Sequence, residues 1–134
     1  MIGILVLSHG KLAEGLLESG KLFFGEDVPQ IETLCLEGQD VEIFDDQLDR
    51  AIRRLDDGSG VLVLCDIFGG TPANRSAYKV SDKVKVVTGV NMAMILDALG
   101  RRMNARNIDE IDIKHIMESG KKSIVCINEL YQKW

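Results

Sequence analysis

One of the two histidines in the chain stands directly after the first apolar run. Residues 2–7 are apolar or small, and the run ends in Ser8-His9-Gly10. A carboxylate beside an imidazole fixes which ring nitrogen carries the proton, and the other nitrogen is then available as a nucleophile. His9 is therefore a candidate nucleophile if the fold places a carboxylate next to it.

A carboxylate and a pair of glycines follow another apolar run in the middle of the chain. That run ends in Asp66, and Gly69-Gly70-Thr71-Pro72 comes shortly after it. Residues without side chains allow backbone N–H groups to approach an anion, and exposed amides at the start of a helix attract phosphate. We expect Thr71 to be the helix N-cap, with Pro72 at the first helical position.

Together these residues predict one kind of chemistry, the transient phosphorylation of His9. Asp66 would orient the imidazole, and Gly69, Gly70 and Thr71 would receive the phosphoryl group. Each part also has a simpler explanation, because an Asp after a strand often forms a turn and glycines often lead into a helix. The interpretation as a site depends on all of these residues meeting at one place in the fold.

The arrangement of apolar runs predicts such a meeting place. Four runs are short and continuous, as in strands buried on both faces of a parallel sheet: residues 2–7, 31–36, 60–65 and 84–87. Helical patterns lie between or after them: 11–24, 40–55 with Asp40 as N-cap, a segment after Pro72, another after Asn91, and 108–119. We expect a single α/β domain over residues 1–134, an open, mostly parallel sheet with helices on both faces.

In an open sheet ordered 2-1-3-4, functional groups gather beyond the carboxyl ends of strands 1 and 3, where the strand order reverses. Strand 1 leads to His9 and strand 3 leads to Asp66. Neighbouring strands lie about 4.8 Å apart. The two side chains should therefore face one another across this crevice.

The charge, the lengths of the apolar runs and the cysteines argue against several kinds of partner and location. The net charge of -5 and the lack of a basic run argue against nucleic acid as a partner. No apolar run is long enough to span a membrane. Cys35, Cys65 and Cys126 each lie in an apolar run, and an odd number without metal-type spacing predicts buried, reduced thiols in a cytoplasmic protein. We expect no metal and no cofactor.

Three segments in the right order, ILVLSHG, VLVLCDIFGGTPAN and VVTGVNMAM, resemble the IIA component of the mannose/fructose/sorbose family of the bacterial phosphoenolpyruvate-dependent sugar phosphotransferase system. The resemblance implies a phosphotransferase that accepts a phosphoryl group from phospho-HPr on His9 and passes it to a IIB partner. The resemblance implies the membrane components IIC and IID as indirect partners, which act after IIB. Asp66 matches the carboxylate partner, and Thr71 matches a Ser or Thr beside the phosphoryl group.

The same resemblance implies a parallel sheet and a homodimer that exchanges a final antiparallel edge strand, for which residues 123–128 are the candidate. Ala93 stands where members of the family often have proline, so Gly89 and Asn91 are weaker candidates for the site. The transported sugar is not encoded in a component of this kind.

Two other functions are compatible with parts of the sequence. A tetrapyrrole metal chelatase can also begin with a strand that ends in SHG, but it needs a second histidine or acidic ligand facing the first. The other histidine, His115, is expected to be a partly buried helix residue, and a chelatase leaves the GGTP motif unexplained. A purely regulatory module, whose phosphohistidine is read by another protein, remains open.

Overall fold

Four parallel strands form one sheet in the order β2-β1-β3-β4, which confirms the predicted α/β architecture. The computed structural model describes residues 1–131. The strands are β1 (Gly3–His9), β2 (Ile31–Leu36), β3 (Val61–Cys65) and β4 (Val84–Thr88). The helices are α1 (Leu12–Phe24), α2 (Val41–Leu55), α3 (Thr71–Ala77), α4 (Met92–Arg102), α5 (Ile113–Lys122) and the short α6 (Ile127–Leu130), with a 3₁₀ turn at Ile108–Glu110.

The two central strands are apolar throughout because both faces of the sheet are covered. Successive side chains of a strand point to opposite faces. Ile4 and Val6 of β1 pack on the side of α1, α4 and α5, with Ile95 and Ile116. The alternate residues of β1 pack with β3 against α2 and α3, in a second core that contains Leu5, Leu7, Phe44, Leu48 and Val63.

Polar side chains set the starts of the helices. Asp40 caps α2 as predicted, because its carboxylate accepts the N–H of Ile43 at 2.9 Å. Between residues 108 and 119 the prediction of one helix is wrong, since the structure has the 3₁₀ turn followed by α5. The carboxylate of Asp112 accepts the N–H of His115 at 3.0 Å and so starts a new helix, while Ile108 is buried in the core.

The prediction of a strand at residues 123–128 is wrong for the single chain. Ser123 ends α5, Cys126 precedes α6, and the residues between them have no regular secondary structure. A strand is stabilised by hydrogen bonds to a neighbouring strand, and within residues 1–131 none pairs with the outer edge of β4. Exchange of this segment with a second copy stays a prediction.

The cysteines differ more in burial than their apolar surroundings predict. Cys65 is buried in β3 and Cys35 is half-buried, whereas Cys126 is exposed. The prediction of burial is wrong for Cys126 because its segment packs against no core. None of the helices in the described part of the chain is both long and apolar enough to cross a membrane.

Candidate functional site

His9 and Asp66 lie side by side at the carboxyl edge of the sheet. His9 is the last residue of β1, and Asp66 directly follows β3. The strands are in register with Leu7 opposite Cys65, and the N–H of Asp66 continues the ladder by donating to the carbonyl of Leu7 at 3.0 Å. Strand pairing therefore brings together two residues that are 57 positions apart in the chain.

The Asp66 carboxylate holds His9 by both its backbone and its ring. Oδ2 lies 2.9 Å from the backbone nitrogen of His9 and 2.9 Å from ring Nδ1, and Oδ1 accepts the N–H of Ile67 at 2.9 Å. Because the carboxylate is an acceptor only, Nδ1 must carry the proton. The lone pair of the neutral ring is then on Nε2. The His9 side chain is 44% exposed and that of Asp66 is 9% exposed, so the nucleophile is accessible and its partner is shielded.

The charge on Asp66 is stabilised by these hydrogen bonds. Burial by itself would raise the pKa of the Asp66 carboxyl, but the hydrogen bonds from the His9 backbone, the His9 ring and the Ile67 N–H outweigh it and lower the pKa. The group is therefore a carboxylate at neutral pH. It can stabilise positive charge on the ring at the moment when Nε2 forms a bond.

Gly70 leaves space for the reactive edge of the imidazole. A Cβ added at Gly70 would lie 2.7 Å from Nε2 of His9 and would also overlap Cε1. The backbone of Gly70 has φ -88° and ψ 171°, which any residue can adopt. The requirement for glycine is thus a matter of space rather than of backbone conformation, and it is imposed by the ring of His9.

The helix after the glycines begins one residue earlier than predicted. Gly70, not Thr71, is the N-cap of α3: the N–H of Asn74 donates to the carbonyl of Gly70 at 2.8 Å. Thr71 and Pro72 are the first two helical residues, and the Thr71 hydroxyl makes no capping bond. Phe68 and Gly69 form a turn that leads into the helix. Among residues 1–131, no backbone acceptor is recorded for the N–H groups of Gly69 and Thr71.

Two cations, Arg75 in α3 and Lys79 just after its end, hold this helix on α2. Arg75 Nε lies 3.0 Å from Oδ1 of Asp45, and Lys79 Nζ lies 3.1 Å from Oδ2 of the same carboxylate. Burial acts to raise the pKa of Asp45, but the hydrogen bonds from Arg75 and Lys79 prevail and lower it. The orientation of the Gly69–Thr71 segment therefore depends on the ion pairs of Asp45 with Arg75 and Lys79. The sequence of the segment itself does not indicate these ion pairs.

The other histidine also has a carboxylate partner, which the sequence did not indicate. Nδ1 of His115 on α5 lies 3.1 Å from Oδ2 of Asp97 on α4, and Arg101 donates to the same oxygen at 3.0 Å. Its side chain is exposed rather than partly buried as predicted. This pair lies on two helices and away from the glycines, so a carboxylate on Nδ1 does not by itself distinguish His9.

Asn91 and Gly89, in the segment VVTGVNMAM, stabilise the fold. Asn91 caps α4, and its side-chain amide donates to the carbonyl of Gly120 at 3.1 Å near the end of α5. Gly89 has φ +80° in the turn after β4, a conformation that favours glycine. Asn91 thus fixes the end of α5 relative to α4, and no contact with His9 is formed.

A possible metal-ligand group exists in the described part of the chain, although none was expected from the spacing. Ligand atoms of Glu14, Cys35 and Glu37 lie within 4.8 Å of one another. Lys11 Nζ is already 3.6 Å from Glu37 and 3.9 Å from Glu14. His9 is not part of this group, and the second histidine that a chelatase could use, His115, is paired with Asp97 instead of facing His9.

Comparison with known proteins defines the family. The family described as EIIA-man, PTS system fructose IIA component, matches residues 3–116. The fructose-specific EIIA component of Bacillus subtilis (strain 168) is 30% identical over 104 residues, covering 76% of this chain and 71% of the relative. The mannose-specific EIIAB component of Escherichia coli (strain K12) is 30% identical over 128 residues. That alignment covers 94% of this chain but only 39% of the longer relative.

Solved structures agree with this result. Phosphotransferase system component EIIA from Streptococcus agalactiae superposes with a TM-score of 0.85 at 28% identity, over 96% of this chain and 99% of that one. The PTS IIA protein associated with the fucose utilization operon of Streptococcus pneumoniae gives a TM-score of 0.81, also at 28% identity, over 96% and 94% of the two chains. The chain belongs to the EIIA-man family and is a IIA component of the sugar phosphotransferase system.

Replacing Gly70 by alanine should displace the His9 ring without unfolding the protein. The backbone conformation suits alanine, but the new Cβ would overlap the ring. We expect the NMR signals of the His9 ring to shift strongly and its contact with Asp66 to be lost. Gly100→Ala is the matched control, because a Cβ there meets nothing within 4 Å; it should add about 1 kcal/mol of stability and leave His9 unchanged. Unaltered His9 signals in Gly70→Ala would contradict the steric argument.

Proposed function

We propose that His9 is the phosphoryl acceptor of this IIA component, loaded by phospho-HPr and unloaded by a IIB component. The observation that carries the proposal is the environment of Nε2. Asp66 accepts the hydrogen bond from Nδ1–H and so orients the ring, and Gly70, at the start of α3, leaves space at the edge that carries Nε2. His115 has the carboxylate but not this space.

The transfer follows from these contacts. The lone pair of Nε2 attacks the phosphorus of the donor phosphohistidine, and the P–N bond of the donor breaks with its electrons returning to the donor imidazole. The proton on Nδ1 of His9 stays in place, and Asp66 stabilises the positive charge that develops on the ring. Phosphoryl transfer depends mainly on positioning and charge stabilisation, which the N–H groups of Gly69, Gly70 and Thr71 would supply to the phosphoryl oxygens. Passage to IIB is the reverse step with a new acceptor.

The surface beside His9 supports a protein as donor and acceptor. The loop after Asp66 carries Ile67 and Phe68, of which Phe68 is 88% exposed, and Leu12 at the start of α1 is also exposed. Apolar side chains around a reactive group suit a transient protein interface better than a small polar substrate. We infer that HPr and IIB dock here in turn, in the cytoplasm, where the cysteines stay reduced.

We also infer that the protein is a homodimer in which residues 123–128 of each chain pair with β4 of the other. The outer edge of β4 is open within residues 1–131. An apolar groove of about 410 Å³ adjoins it, lined by Phe68, Val80, Val86, Ile113 and Met117 among others. The last segment carries the exposed apolar side chains that such a groove requires: Ile124, Val125, Ile127 and Leu130. An open edge and an unpacked apolar segment in one chain favour pairing between copies.

Incubation with phosphoenolpyruvate, enzyme I and HPr should add one phosphoryl group to the protein, stable in base and labile in acid. His9→Ala should abolish the mass increase, because Nε2 of His9 is the proposed acceptor. His115→Ala is the matched control, since it removes the other histidine–carboxylate pair, and it should be labelled normally. Labelling of His9→Ala would refute the proposal.

Changing Asp66 to asparagine should slow the transfer while the fold is kept. The amide can donate to Nδ1 and so favour the tautomer with the proton on Nε2, which cannot attack. A carboxylate-to-amide change beside a catalytic histidine costs as much as about 10⁴-fold in rate, and we expect less here because no proton is removed. Rapid-quench rates and ¹⁵N NMR of the ring measure both effects.

The same variant should show a defined pH dependence of stability. The pKa of Asp66 is lowered in the folded state, so its carboxylate stabilises the fold above the unfolded-state pKa and loses this contribution as the pH falls through the folded-state value. The stability difference between wild type and Asp66→Asn should therefore be present at pH 7 and shrink in acid. A wild-type rate, tautomer and stability profile in the variant would show that Asp66 only forms a turn.

Replacing Ile124 by aspartate should convert the proposed dimer to monomer. Ile124 is 80% exposed in the single chain, so the change should cost little in monomer stability but would place a charge in the groove beside β4. Leu22→Asp on α1 is the control, because Leu22 is 91% exposed and outside the proposed interface. Sedimentation velocity distinguishes the two states. A monomeric wild type, or an Ile124→Asp protein that stays dimeric, would contradict the exchange.

A further inference from the structure

We propose that Ser8 is a positioning residue for His9, which it holds through the turn that joins β1 to α1. The inference rests on the proposed role of His9 as phosphoryl acceptor. Ser8 is one of the few polar residues that are fully buried in residues 1–131. A buried hydroxyl must have hydrogen-bond partners or it destabilises the fold, and both partners of Ser8 lie in the chain just after His9.

The Ser8 hydroxyl joins two backbone groups of this turn. Oγ accepts the N–H of Ala13, in the first turn of α1, at 2.7 Å. It also donates to the carbonyl of Gly10 at 3.0 Å. Lys11, the N-cap residue of α1, makes no capping bond with its side chain. Ser8 thus supplies the cap from the end of the strand, which ties the start of the helix to the residue before His9.

The turn that joins β1 to α1 is also held by Asp66, which follows β3, and by Leu36 of β2. The backbone N–H and the ring of His9 are bound to Asp66. The N–H of Gly10 donates to the carbonyl of Leu36 at 2.8 Å, and Gly10 has φ +58°. The two peptide groups on either side of Gly10 are therefore both fixed: Leu36 accepts the Gly10 N–H that follows His9, and Ser8 donates to the Gly10 carbonyl. Loss of the Ser8 hydroxyl would free the Gly10 carbonyl and allow the turn, with the ring, to move away from Asp66.

The role requires a group that both accepts and donates at this position. Alanine can do neither, and the N–H of Ala13 would lose its acceptor in a buried place. Threonine keeps the hydroxyl and adds a methyl group that suits a strand. Cysteine matches serine in shape but is a weak donor and a weak acceptor. The three substitutions therefore distinguish the effect of the hydrogen bonds of the hydroxyl from the effect of the space that the side chain fills.

The test compares Ser8→Ala, Ser8→Cys and Ser8→Thr with wild type in the full chain. Rates of phosphoryl transfer are measured against phospho-HPr concentration, and ¹⁵N NMR reports the fraction of His9 with the proton on Nδ1. We expect Ser8→Ala to lower the maximal rate roughly 10- to 100-fold, as misplacement of a reacting group does, with little change in the half-saturating concentration. The Nδ1–H fraction should fall in parallel, Ser8→Cys should be intermediate, and Ser8→Thr should recover most of the rate.

Asp112→Ala provides a control for loss of a helix cap alone. Asp112 caps α5 by accepting the N–H of His115, and it lines a cavity with Gly100 and Arg101 of α4. It should lower the melting temperature and leave the rate and the His9 tautomer unchanged.

Each outcome decides the proposal. If Ser8→Ala lowers the melting temperature but keeps the wild-type rate and tautomer, Ser8 is only a helix cap and the proposal is overturned. A loss as large in Ser8→Thr as in Ser8→Ala would overturn it too, because the hydroxyl would not be the cause. If Ser8→Ala does not fold, Ser8→Cys takes its place. If the wild type itself is not phosphorylated, the proposed function fails, and the tautomer measurement still decides whether Ser8 positions the ring.

Discussion

The site depends on one carboxylate that bonds to the backbone and to the side chain of the same histidine. Asp66 accepts the N–H of His9 and its ring Nδ1 with a single oxygen. The first bond extends the pairing of β1 with β3, and the second fixes the tautomer of the ring. Because both bonds use the same oxygen, the position of this carboxylate at the edge of the sheet sets the position of the ring. Burial opposes the charge on Asp66, and these hydrogen bonds outweigh it.

The comparison between the two histidines shows what the carboxylate alone does not provide. His115 has Asp97 on the same ring nitrogen, at nearly the same distance. It lies between two helices, where Arg101 competes for the carboxylate. His9 differs in that its other ring nitrogen, Nε2, lies against Gly70 at the start of α3. The space that Gly70 leaves beside Nε2, rather than the histidine–aspartate pair, distinguishes His9 from His115.

The scaffold around the site is stabilised by interactions that cross between elements. Asp45 holds α3, and with it the glycines, on α2. Asn91 joins the start of α4 to the end of α5, and Ile124, just after α5, lines a small cavity with Thr88 at the end of β4.

The sequence by itself indicated the four parallel strands and the helix capped by Asp40, and, for a sheet ordered 2-1-3-4, the pairing of His9 with Asp66. Continuous apolar runs mark strands buried on both faces, and the order of a parallel sheet places the ends of β1 and β3 together. The sequence also located the glycines. It did not explain why residue 70 must be a glycine, because the reason is the closeness of its Cα to the ring of His9, which lies 61 positions earlier in the chain.

Only the tertiary structure decided the rest. The carboxylate on His115 and the group formed by Glu14 with Cys35 and Glu37 depend on contacts between residues far apart in the chain. The apolar pattern of residues 123–128 predicts a strand. Such a strand can form only if the edge of a neighbouring sheet is there to pair with it. A strand, unlike a helix, cannot satisfy its backbone hydrogen bonds within its own segment, so its formation is decided by a neighbour that the local sequence does not contain.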